Sequence, residues 1–227
     1  MPIFHACAQG SEKWLRLRMG MPTASCFDRI VTPSGRISSQ ADAYQNEILA
    51  ELILGRVLQG PNLAIMQRGH DLESHAVEYY EFQKDISTEP IGFVTTDDLR
   101  YGASPDRTVG EEGILEVKCP AAGTHVGYML AGSAEHVYYP QIQGQLLVTG
   151  RQWVDIISYY PEMPMVLSRV ERDEKFIALL SEQLDRFCTD LEAKTQILID
   201  RGYYTPAQPA IRDPMEISEE DHLWGAK

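Results

Sequence analysis

The sequence predicts an α/β (α+β) fold, a mixed central sheet flanked by helices, on three observations. Three stretches, GILEVK (113–118), QWVDIISYY (152–160) and MVLSRVE (165–171), are rich in apolar and β-branched residues and bounded by Gly or Pro, as half-buried strands are. Between and around them lie longer stretches whose apolar residues recur every three to four positions, the period of a core-facing helix. At 227 residues, 44% hydrophobic and 23% charged, the chain can bury one substantial core.

In chain order, the first long helix is expected over ADAYQNEILAELILGRVL (41–58). Ser38 or Ser39 would cap it, Gly60 and Pro61 would stop it, and Ile48, Leu49, Leu52 and Ile53 would form its core stripe. A second helix is expected over 68–84, followed by strands at IGFVTT (91–96) and GILEVK. AEHVYYPQIQGQLLVTG (134–150) reads as a helix stopped by Gly150 despite its internal Pro140. The last two strands are joined by the turn PEMP, and residues 173–199 form a long amphipathic helix from an aspartate cap. No repeat, low-complexity tract or linker divides the chain, so a single domain over 1–227 is expected, ending in an acidic tail at about 205–227.

Composition excludes several classes. The N-terminus shows no apolar segment behind a basic flank, and no apolar run approaches the roughly eighteen residues of a membrane span. Cys7, Cys26, Cys119 and Cys188 form no C-x-x-C, which suits reduced thiols better than a disulfide framework or zinc site. A soluble cytoplasmic protein is expected. The net charge of −13 argues against nonspecific coating of nucleic acid. The excess is uneven, with residues 1–60 nearly neutral and 61–120 strongly acidic. A few converging cations and bridging metals still allow such a protein to handle a polyanion.

The chemistry-bearing stretch is SPDRTVGEEGILEVKCP (104–120). On a strand, Glu116 and Lys118 share one face while Leu115 and Val117 share the other. A turn at Gly110 and Gly113 would fold the chain back so that Asp106 meets Glu116. The bland alternative is a strand-edge ion pair. The chemical one is P-D-x(n)-E-x-K, the core of restriction-endonuclease-like nucleases. There two carboxylates hold one or two Mg2+ ions as hard oxygen ligands, and the lysine orients or deprotonates the attacking water.

Other candidates are weaker alone. Glu73, in HDLESHAVE, is either a solvated helix residue or an extra carboxylate for the metal pair. His70 and His75 are five apart, about 140° round a helix, so they do not form an H-E-x-x-H zinc site. Gln141 and Gln143 sit in an apolar segment that favours buried polar contacts. Arg18 shortly precedes Thr23 and Ser25, which either cap a helix or, with the arginine, bind phosphate.

Taken together and in order, WLRLRMGMPTAS (14–25), GHDLE (69–73), SPD (104–106), LEVKCP (115–120) and QIQ (141–143) closely resemble the phage lambda exonuclease, or YqaJ-like viral recombinase, family. The resemblance runs from about Ser11 to the RDEK of Arg172–Lys175. It implies a restriction-endonuclease-like core and a ring-shaped homotrimer threaded by linear double-stranded DNA. It also implies Mg2+-dependent, processive 5′→3′ degradation of one strand to 5′-mononucleotides. Two Mg2+ per active site are implied, with Mn2+ able to substitute. The 3′ overhang left behind would serve a single-strand annealing protein in recombination, in a bacterial host and from a phage or prophage.

By the same resemblance the metal ligands fall on Asp106, Glu116 and the carbonyl of Val117, and the catalytic lysine on Lys118. The supporting carboxylate is Glu73, and the active-site glutamine is Gln141. The 5′-phosphate pocket falls on Arg18, Ser25 and Ser104, and the strand wedge on Met66. The chain departs from the family at Thr124 and His125, where an arginine is expected, and at Arg107, a candidate substitute cation in place of glycine. Two other readings keep the same core: a DNA-end-binding recombination protein with weak or no catalysis, and a site-specific endonuclease.

Overall fold

GILEVK takes the middle of the sheet. The computed structural model describes residues 1–58 and 63–206, with the side chains of residues 63–71 outside the description. The chain runs β1 (Ile3–His5), α1 (Glu12–Arg18), a 3-10 turn (Ala24–Arg29), α2 (Ala41–Leu54), α3 (Leu63–Lys84), β2 (Glu89–Pro90), β3 (Phe93–Thr95) and β4 (Gly102–Ala103). It continues through β5 (Arg107–Val109), β6 (Gly113–Lys118), α4 (Ala122–Ala131), α5 (Glu135–Thr149), β7 (Trp153–Ser158), β8 (Val166–Glu171) and α6 (Glu174–Asp200). Among the described residues, β2-β5-β6-β7-β8 form one sheet and β1-β3-β4 another. In the larger sheet β6 and β7 run parallel and every other pair antiparallel, so the sheet is mixed, as the sequence predicts.

The faces of β6 organise the layers. Leu115 packs with Ala76, Val77 and Tyr80 of α3 and with Ile157 of β7. Ile114, on the other face, packs with Ile142 and Leu146 of α5 and with Val154 and Ile156 of β7. Helix α5 lies so close to the 3-10 turn that a Cβ on Gly144 would stand 2.3 Å from the Phe27 ring. A third cluster joins Phe27, Tyr44, Ile48 and Leu49 to Leu180, Leu184 and Phe187 of α6. Helix α6 starts at Asp173, whose carboxylate accepts from the backbone N–H groups of Lys175 and Phe176, the aspartate cap expected.

Several expectations need correction. Helix α2 ends at Leu54, with Gly55 in the left-handed region at φ 64°, before the Gly-Pro pair. The local glycine closes the last turn, a stop that acts earlier than the proline. Ile53 is exposed, and the buried stripe is Tyr44, Gln45, Ile48 and Leu49. Gln40 holds the cap position without a side-chain bond, and Ser38 instead accepts from the Gln40 N–H at 3.3 Å. The strand expected at 91–96 shrinks to Phe93–Thr95 and belongs to the smaller sheet. Helix α4 was not expected. Most of the proposed acidic tail, and residues 59–62, lie outside the described residues.

Candidate active site

The antiparallel register of β5 on β6 places Arg107 opposite Leu115, so Asp106, the residue before it, comes level with Glu116. The turn that makes this possible includes Gly110 at φ 56°, a conformation that favours glycine. The Asp106 carboxylate accepts from the Val117 N–H at 2.6 Å, which fixes it beside the strand. The predicted meeting of Asp106 and Glu116 therefore occurs.

Glu116 is 3% exposed and surrounded by donors. Its Oε1 accepts from Lys118 Nζ at 2.7 Å and from Gln141 Nε2 at 2.6 Å. Its Oε2 accepts from Gln145 Nε2 at 2.6 Å. Gln141 also accepts from Lys118 at 3.3 Å, closing a triangle of carboxylate, ammonium and amide. The ammonium sits 4.5 Å over the Tyr138 ring.

Charge in this cluster does not balance. Burial, then the Glu116 charge, push the Asp106 pKa well above the usual carboxylate range; Lys118 opposes this and Glu73 adds to it. Glu73, half-buried on α3, is thus close enough for its charge to be felt. Burial opposes the Lys118 charge, but Glu116 and Asp106 outweigh it and raise its pKa above the ordinary lysine value. Lys118 is a fixed cation in this state. Among the described residues no three His, Cys, Asp or Glu side chains converge tightly enough to hold a metal by themselves. A metal here would need backbone oxygen as well, and the Val117 carbonyl lies on the same strand. Hard oxygen donors with surplus negative charge fit Mg2+ or Mn2+ and do not fit a thiolate or imidazole metal.

The phosphate-binding candidates also assemble. Arg18 Nη2 donates to Thr23 Oγ1 at 3.4 Å, and Thr23 and Ser25 hydroxyls are 3.3 Å apart. The guanidinium lies 4.1 Å over the Trp14 ring, and Trp14 Nε1 donates to Ser104 Oγ at 2.8 Å. Burial lowers the Arg18 pKa, against the pull of Tyr44, Cys26 and Glu51. Thr23 makes no side-chain cap bond, so the helix-cap alternative does not apply to it. Ser104 precedes Asp106 by two residues, which ties this cluster to the carboxylates through Trp14.

The remaining candidates separate. Gln143 donates to the Glu171 carbonyl and accepts from the Asp173 N–H, so it braces α5 against the start of α6. His125 is wholly buried, bonded to Ser158 and the Pro164 carbonyl. Arg107 is bound by the hydroxyl and carbonyl of Thr88, so it serves the sheet edge and is no substitute cation at the carboxylates. The Met66 side chain lies outside the described residues. Sequence reasoning missed Gln145 and Trp14. Gln145 was legible as the residue one helical turn after Gln141 on the same face; Trp14 reads as ordinary core.

Comparisons with known proteins bear on the family and the fold. A family profile described as the YqaJ-like viral recombinase domain matches residues 13–152. The crystal structure of an alkaline exonuclease from Laribacter hongkongensis is 31% identical, with a TM-score of 0.76, covering 85% of this chain and 98% of its own. The same enzyme in complex with dAMP matches with the same figures. A phage-related exonuclease from Haemophilus somnus, 14% identical with a TM-score of 0.61, covers 80% of this chain and 96% of its own, and shares the fold. Among curated proteins none matches.

Proposed function

The chain belongs to the YqaJ-like viral recombinase domain family, and from that premise we propose that it is a Mg2+-dependent 5′→3′ exonuclease. It degrades one strand of linear duplex DNA processively to 5′-mononucleotides. The observation that carries this reading is the junction of two clusters. A carboxylate pair with one lysine (half-buried Asp106, buried Glu116, Lys118) begins two residues after Ser104, which Trp14 links to an arginine-hydroxyl cluster (Arg18, Thr23, Ser25).

Asp106, Glu116 and the Val117 carbonyl are the donors that would hold the metal ions, two per site by family likeness, with Mn2+ as a substitute. Bound there, a divalent cation supplies Lewis-acid polarisation of a phosphoryl oxygen and a more acidic attacking water. Lys118, fixed by Glu116 and Gln141, acts as a charged donor that orients the water and meets the growing negative charge on phosphorus. Glu73 adds a supporting carboxylate from α3. Arg18, Ser25 and Ser104 seat a terminal 5′-phosphate, so that the bond one nucleotide inward meets Lys118 and the carboxylates. Each cut then creates the next 5′-phosphate.

Processivity needs topology, because a chain of net charge −13 cannot hold DNA by general attraction at physiological salt. A closed homotrimeric ring supplies it, and the 3′ overhang is the substrate of a single-strand annealing partner. The test is digestion of linear duplex bearing 5′-phosphate or 5′-hydroxyl, and of closed circles, in Mg2+ and in chelator. Mononucleotide release from phosphorylated linear ends in Mg2+ alone is expected. Cutting of closed circles would establish the endonuclease reading instead, and end binding without release would establish the non-catalytic one. Light scattering showing only monomer at micromolar concentration would remove the ring.

A further inference from the structure

Gln145 combines three properties that ordinary core residues do not share. It is 1% exposed, on α5, in the layer between helix and sheet. Its Nε2 makes the protein hydrogen bond to Glu116 Oε2, at 2.6 Å, while Lys118 and Gln141 both bind Oε1. Its own Oε1 has no hydrogen-bond partner, the sole such buried side-chain N or O atom among the described residues. Rotating the amide by 180° would set that oxygen against the carboxylate, so the orientation is fixed. A buried amide oxygen left without a donor is costly, and native structures almost always supply one. The missing donor is therefore a molecule outside the chain, small enough for a buried site, beside a carboxylate with surplus negative charge. Water on a hydrated divalent cation meets each condition.

We propose that Gln145 is a positioning residue of the metal centre: its N–H holds Glu116 Oε2 in place, and its carbonyl oxygen accepts from a water of the bound cation. The proposal rests on the metal-dependent reading above. Partners that orient a ligating carboxylate typically change metal affinity by about 10- to 100-fold. Gln141 divides the labour, serving Lys118 and Oε1, while Gln145 serves Oε2 and the cation's water.

The experiment titrates the metal-free full-length protein with Mn2+ in a calorimeter, without DNA, for wild type, Glu116→Gln and Gln145→Met. Wild type should bind, Glu116→Gln should lose that binding, and Gln145→Met should bind about 10- to 100-fold more weakly with an unchanged circular dichroism spectrum. Binding by Gln145→Met within twofold of wild type overturns the proposal and leaves the nuclease reading standing. No Glu116-dependent binding in wild type overturns both. If Gln145→Met does not fold, wild type labelled with 15N-glutamine and assigned through bonds decides the matter. The Gln145 side-chain amide resonances should move with Mg2+ at the midpoint of binding, and stationary resonances overturn the proposal.

Discussion

Glu116 and Asp155 are both buried carboxylates in the middle of the sheet, on neighbouring parallel strands and opposite faces. Each has a basic partner at 2.7 Å. Burial and pairing alone do not distinguish them. Asp155 is closed: Arg169 Nε and Nη2 reach its two oxygens at 2.7 and 2.9 Å, and the Tyr80 hydroxyl completes the set at 2.7 Å. The guanidinium then stacks 3.5 Å over Trp153. One negative charge meets one positive charge. Around Glu116 the balance fails, because Asp106 and Glu73 add negative charge against Lys118, and an orphaned amide oxygen stands alongside. The lesson is that incomplete satisfaction, rather than buried charge, marks the place where something else must bind.

The largest expected effect breaks the comparison at Glu116. Asp106→Ala or Glu116→Gln should reduce nucleotide release by several orders of magnitude, since on the metal-dependent reading proposed above each removes an anionic ligand. Lys118→Met should be comparably inactive yet still bind Mn2+. Asp155→Asn, by contrast, should keep the activity per folded molecule. The measurement is single-turnover release from a phosphorylated linear duplex, normalised to folded protein. Near wild-type release by Glu116→Gln, or collapse of activity in folded Asp155→Asn, would reverse the roles assigned to the two carboxylates.

Next in size is a stability effect at the closed pair. Arg169→Met leaves Asp155, with 0% exposure, bonded to one hydroxyl alone. Removing one partner of a buried pair costs about 3–5 kcal/mol. Because Arg169 is itself nearly half exposed, with 45% of its side chain accessible, the reverse change should cost less. Asp155→Val frees a guanidinium that can turn to water and strands the Tyr80 hydroxyl, a loss of roughly 1–3 kcal/mol. Urea unfolding of the two variants measures the asymmetry, and equal losses would contradict it.

What the sequence disclosed follows the same division. Asp106, Glu116 and Lys118 were legible because strand alternation and a glycine turn set them together by backbone geometry alone. Gln143 and Gln145 were harder to sort, since one braces α6 and the other binds Glu116, two residues apart on one helix. Which face of α5 meets β6 depends on packing that a single helix does not encode. Helix α4 escaped because Gly123 and Gly127 dilute its periodicity, though Gly132 closes it at φ 76°. In the smaller sheet β3 was legible within IGFVTT, but β1 and β4 escaped because they span only three and two residues, too few for a pattern of period two.

Arg18 gives a smaller effect that sharpens the open site's side of the comparison. Stacked on Trp14 and bonded to Thr23, it is a cation whose neighbours position it without neutralising it directly. A charge-assisted contact of this kind is worth roughly 1.5–3 kcal/mol. Arg18→Ala should reduce the preference for 5′-phosphate over 5′-hydroxyl ends by about ten- to a hundredfold. Metal affinity should be spared, because Arg18 touches neither carboxylate. The ratio of initial rates on the two duplexes reports it. A large ratio that survives the substitution would place the pocket elsewhere.

The smallest expected change is the most discriminating. A closed ion pair can be replaced as a unit, because every group in it is satisfied by another group in it. Asp155→Val, Arg169→Met and Tyr80→Phe together remove the carboxylate, its cation and the hydroxyl that would otherwise be stranded. Valine suits a central strand, methionine keeps a flexible stem over Trp153, and phenylalanine keeps the ring between α3 and β7. Replacing buried ion pairs by apolar groups of similar volume is often neutral or stabilising. The triple variant should therefore recover most of the Arg169→Met loss, to within about 1 kcal/mol of wild type, and retain nuclease activity. The same treatment of Glu116 and Lys118 could preserve the fold but never the activity, since what they lack is what they bind. If the triple variant stayed as unstable as Arg169→Met, or folded well but lost turnover, Asp155 would hold more than the sheet together, and charge balance would not separate the two sites.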